Sequence, residues 1–251
     1  MPRPTRADDR LGRLIPAIPL LAVAAAAWAI TAKRMQGMDM GPGTDLGDIG
    51  WFAVVWVTMM AAMMLPSLVP IALAYARASQ EAGASPTVVF VCGYLLVWLG
   101  AGVVAYAVIQ GVRALDPSWL AWDEGGPYVA GGVILGAALY ELTPLKSACL
   151  RHCRNPELLT QRWRPGFSGA LLMGLEHGGF CVGSSWALMV ALFALGVMNL
   201  AWMVVVAALV AIEKLLPRAE VAIGTTVAFL AILGIAVALA PAQVPGLTIP
   251  G

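Results

Sequence analysis

Apolar residues run through this chain in blocks, separated by short polar stretches. One block covers residues 14–32, a second begins at Trp51 and reaches about Ala76, and a third covers about 87–110. A fourth covers about 128–144 and a fifth runs from near Phe167 to Met198. A sixth opens at Asn199 and closes around Glu213, Lys214 and Pro217, and residues 221–240 form a seventh. Blocks of this size approach the ~20 residues that a helix needs to cross a ~30 Å hydrocarbon core. The pattern predicts an all-α, polytopic transmembrane helix bundle of about seven spans. Residues 14–240 form its single integral membrane domain, with a basic segment at 1–13 before it and an irregular tail at 241–251 after it. A basic start before an apolar run also describes a signal peptide, whose hydrophobic region is usually shorter. The first block reads as an uncleaved helix.

Charge placement orients the bundle. With the N terminus cytoplasmic, twelve of the fifteen lysines and arginines fall on the inner side, and only Lys33, Arg34 and Arg113 fall outside. That bias follows the positive-inside rule and predicts a multi-pass protein of the inner, or plasma, membrane. Composition agrees: the chain is 60% hydrophobic and 12% charged, with a mean hydropathy of +0.83, values of membrane proteins and not of soluble domains. A net charge of +1 gives no bulk attraction for nucleic acid.

Against this apolar background, a few polar and sulfur-bearing residues stand out. The fifth block carries Glu176, His177 and Cys181, and ionisable groups inside a membrane span are functional candidates. On one helix, Met173, His177, Cys181, Ser185 and Met189 share a face. Gly174/Gly178 and Gly179/Gly183 form two Gly-x-x-x-Gly pairs, which let a neighbouring backbone come close. The second block contains Met59, Met60, Met63 and Met64, a sulfur-rich surface or ordinary gap-filling. Met35, Met38 and Met40 stand in the loop before it. Glu141 lies near the end of the fourth block, and Cys149, His152 and Cys153 follow, a set of donors suited to copper or zinc. Cys92 by itself reads as a small buried residue. Counting along straight helices places Met63, Met64, Glu141, Glu176, His177 and Cys181 near the bilayer middle. The three loop methionines then lie outside them and Cys149, His152 and Cys153 inside, an order that suits an ion path.

Three segments carry a family resemblance: Met59 to Pro66, Thr143 to Arg154, and Cys181 to Met189 continuing through Gly196-Val197-Met198-Asn199-Leu200 to Glu213-Lys214. In these the chain resembles the domain-of-unknown-function 2182 family of predicted metal-binding integral membrane proteins. That family commonly has two cysteines where Ser184 and Ser185 stand here, which leaves one thiol in the stretch. The resemblance implies metal binding and supplies no reaction.

The residues and the resemblance together lead us to expect a membrane protein that handles copper, or zinc, by transport or by delivery to a client membrane or periplasmic protein or a metallochaperone. A non-transporting assembly or scaffold subunit is the alternative. An enzyme using His177 and Glu176 is a third reading, for which neither a Gly-x-Ser-x-Gly elbow nor a His-Glu-x-x-His pair is present.

Overall fold

The computed structural model describes residues 17–35, 46–79, 85–115, 124–196, 199–244 and 247. The basic N-terminal segment, Met38, Met40 and most of the C-terminal tail lie outside them. The described residues are helical, in the order α1 (Ala17–Met35), α2 (Ile49–Ala78), α3 (Ser85–Leu115), α4 (Gly126–Glu141), α5 (Pro144–Arg154), α6 (Pro156–Gln161), α7 (Gly166–Leu195), α8 (Leu200–Leu215) and α9 (Ala219–Leu239), with a 3-10 turn at Pro241–Gln243.

α2 is the central element and touches α1, α3, α6 and α8. Its entry is fixed by Asp48, whose carboxylate accepts the Gly50 and Trp51 amides at 2.9 and 3.0 Å, an N-cap that satisfies two otherwise orphaned donors. The helix runs on through Pro66 and Pro70. Met59, Met60, Met63 and Met64 are all at most 2% exposed, and Ala61, Ala62 and Leu65 between and after them are buried too, so the middle of this helix is buried around its circumference.

α1, α2, α3, α7 and α9 are long and apolar enough to cross a membrane. The count rises to six if α4 and α5 form one span, and they are bent by 66° at the break between them. The seventh expected span corresponds to α8, which has 16 residues and rises roughly 24 Å at 1.5 Å per residue, short of the hydrocarbon thickness.

The break after α4 has a local cause. Thr143 caps α5 by accepting the Lys146 amide at 3.3 Å, and Pro144 takes the first helical position. Proline there lacks the amide that would continue α4, and its ring disfavours a helical residue before it. Glu141 and Cys149 therefore do not stand on one straight helix, as the apolar pattern suggested.

α3 and α7 form the tightest seam, and small residues make it. A Cβ on Gly174 would strike the Phe90 carbonyl oxygen, and one on Gly178 would lie 3.0 Å from the Tyr94 carbonyl oxygen. Gly179, on the same helix, has open space instead. Replacing Gly174 with leucine is expected to destabilise the protein by at least the roughly 1–3 kcal/mol of ordinary overpacking, whereas Gly179→Leu is expected to be nearly neutral. Thermal unfolding of both variants in detergent checks the contrast; equal melting temperatures would contradict the seam.

Cys92 corrects one expectation, for it is exposed. The buried face of α3 carries Phe90, Gly93, Tyr94, Trp98 and Gly102, and Cys92 points away from it.

Candidate functional site: a thiol centre between α5 and α7

The bend after α4 lays α5 against α7, where their thiols meet. Gly183 makes room for Cys149: a Cβ there would lie 2.7 Å from the Cys149 sulfur. Four residues further along α5 comes Cys153, 5% exposed, and its Sγ lies 3.7 Å from Ser184 Oγ. Ser184 in turn donates to the Cys181 carbonyl at 2.9 Å. Ser184 thus links the Cys153 thiol to the backbone of Cys181, and all four cysteines of the chain are free.

Cys181 Sγ is the hub. Lys214, in the last turn of α8, donates to it from Nζ at 2.8 Å, and Tyr94 OH lies 2.9 Å away. The glycine seam explains the second contact, since close approach of α3 and α7 lets a tyrosine hydroxyl reach across. Tyr140 OH closes the same region by donating to the Gly183 carbonyl at 2.6 Å.

Two further clusters flank the thiols. Lys146 is wholly buried and pairs with Glu141 and, at 2.8 Å, with Glu213. One ammonium thus faces two carboxylates, and Oε1 of each glutamate has no partner among the described residues. On the other side a pocket opens between α5, α6 and α7, walled by His152, Met173, Glu176, His177 and Phe180 with Arg162 at its mouth. Glu176 forms an exposed ion pair with Arg162 at 3.0 Å.

The expected site residues are thus distributed over four places. Cys153 and Cys181 are linked through Ser184, while Cys149 packs against Gly183. His152, Glu176 and His177 share the pocket, Glu141 lies in the buried ion cluster, and Met63 and Met64 lie in the apolar core of α2. Sequence reasoning passed over Lys214, Tyr94, Lys146 and Glu213. The two lysines and Glu213 carried a usable signal, since each is a charged residue at the end of an apolar block; Tyr94 carried none.

Among the described residues, no group of three or more histidine, cysteine, aspartate or glutamate side chains could hold a metal. Structural zinc asks for four such ligands in a tetrahedron, so the zinc half of the expected metal has no support here. Soft Cu(I) is satisfied by two thiolates, and sulfur selects it.

A family model described as PpoB2: Copper chaperone matches residues 53–237, a range that contains every group of the thiol centre. That family is copper-related, as the motifs implied, under a name other than that of the domain-of-unknown-function 2182 group. No curated protein and no solved structure matches the chain.

Proposed function

The chain belongs to the PpoB2 copper chaperone family, and from that premise we propose that Cys153 and Cys181 hold Cu(I) between two thiolates and that the protein delivers the ion to a client. The observation that carries this reading is the convergence of two buried thiols from separate helices beside a lysine ammonium. Cu(I) with two thiolates has a net charge of −1. Buried charge is tolerated where a partner neutralises it, and Lys214 supplies one positive charge at 2.8 Å from Cys181 Sγ. Cys149, one turn back on α5, extends the thiol surface towards Gly183.

The same reading places the chain in the inner membrane. It crosses seven times with its N terminus cytoplasmic, α4 and α5 making the broken crossing and α8 a short one. The domain then extends over residues 14–240. Copper here is cargo, handed to a membrane or periplasmic client by ligand exchange at the thiols. The resemblance to the domain-of-unknown-function 2182 family supports the same assignment through Thr143 to Arg154 and Cys181 to Met189.

Lys214→Met tests the charge argument. Loss of such an outer partner is expected to lower Cu(I) affinity on the order of 10–100-fold while one equivalent still binds, as read by competition with the chelator bicinchoninate. Unchanged affinity would remove Lys214 from the site.

A further inference from the structure

We propose that the pocket walled by His152, Met173 and His177 is a second Cu(I) site, a surface station from which the ion passes inward to the thiol pair. The proposal rests on the thiol reading for its destination and on the pocket's own geometry for its existence.

His152 is held ready as a ligand. Its ring stacks on Phe180 with centroids 4.1 Å apart and planes 11° apart, and its Nδ1 lies 3.1 Å from the Ala148 carbonyl oxygen. A carbonyl can only accept, so Nδ1 carries the proton and Nε2 keeps a free lone pair. Fixing one ring nitrogen in this way is how ligating histidines are oriented.

His177 faces the same pocket. It is 7% exposed, and Phe90 and Tyr94 stand ring to ring with it at 6.1 Å. Its ring nitrogens are not among the buried side-chain atoms left without a partner; they open onto the pocket, where an incoming ion can take the place of solvent.

Met173 completes the donors. It precedes His177 by four residues on the same face of α7, and its sulfur accepts the Arg164 amide at 3.4 Å. Two imidazoles and a thioether are neutral, and sulfur among them favours Cu(I) over hard cations. Glu176, the anionic group nearby, is already engaged by Arg162 at 3.0 Å.

The route inward is short along the chain. His152 is next to Cys153, and His177 lies one turn before Cys181. In the hand-over, the two Cu–N bonds and the Cu–S bond to Met173 break as Cu–S bonds to Cys153 and Cys181 form. Copper stays Cu(I) throughout, and the thiol protons leave to water through the open pocket.

The test uses full-length protein in detergent, with Cu(I) presented as its bicinchoninate complex. Cys153→Ala/Cys181→Ala is expected to retain one weaker equivalent of Cu(I), which adding His177→Ala abolishes. His177→Ala alone is expected to keep the tight equivalent, certifying its fold, and to load it at least tenfold more slowly. No residual equivalent in the double-cysteine variant, or one indifferent to His177→Ala, would overturn the pocket site. Loading of His177→Ala at the wild-type rate would overturn the hand-over. Failure of the thiol reading looks different: the double-cysteine variant would then bind as tightly and as much as the unaltered protein.

Discussion

Cys181→Ala is expected to abolish tight Cu(I) binding. Lys214 and Tyr94 both reach Cys181 Sγ, and Ser184 links Cys153 to the Cys181 carbonyl oxygen. Removing Cys181 Sγ leaves a single thiol and strands a lysine ammonium with nothing to neutralise. Loss of affinity should exceed the roughly 10–100-fold that follows removal of an outer-shell partner, because a ligand itself is lost. Cys92→Ala is the control, since Cys92 is exposed on α3 and touches none of these groups. Chelator competition on both variants reads the result, and equal affinities would contradict the thiol centre.

Lys146→Met is expected to destabilise the protein strongly. Lys146 and its two glutamates are at most 1% exposed, and they tie the end of α4, the first turn of α5 and the last turn of α8 together. Arg154 reinforces the joint by donating to the Glu213 and Leu216 carbonyl oxygens. Removing the ammonium leaves two buried carboxylates uncompensated, a loss of roughly 3–5 kcal/mol. At about 2–4 °C per kcal/mol, the melting temperature should fall on the order of 10 °C. Replacing all three residues together, as Glu141→Leu, Lys146→Met and Glu213→Leu, should recover most of that, because a well-packed apolar set can match a buried ion cluster. Tryptophan fluorescence on heating follows both variants, and an unchanged melting temperature for Lys146→Met would show that the cluster does not join the helices.

The helices were legible in the sequence because span length is a local property of apolar runs. α1, α2, α3, α7 and α9 all appear close to where those runs place them. The break after Glu141 was written locally too, as a Thr143 cap followed by Pro144 at the first helical position, yet the apolar pattern alone overrides so short a signal. Its consequence was not legible. A 66° bend swings α5 against α7, so Cys153, expected at the cytoplasmic end, meets Cys181, expected at mid-depth. Glu141 and Glu176 drew attention as acids in apolar company, and the structure gives them basic partners at Lys146 and Arg162. The first partner is close in sequence and could have been found. Lys214 reads along the chain only as one more inner positive charge, and nothing there announces that it folds back onto a sulfur 33 residues away.

The account stands or falls on what surrounds the bound metal. Copper K-edge X-ray absorption on Cu(I)-loaded protein, with and without Cys153→Ala/Cys181→Ala, measures it directly. A first shell dominated by two sulfurs in the unaltered protein loaded with one equivalent, replaced by a mainly nitrogen shell in the variant, is the predicted result. A nitrogen-only shell in the unaltered protein, or a two-sulfur shell that survives removal of both cysteines, would contradict the thiol centre as the copper site of this chain.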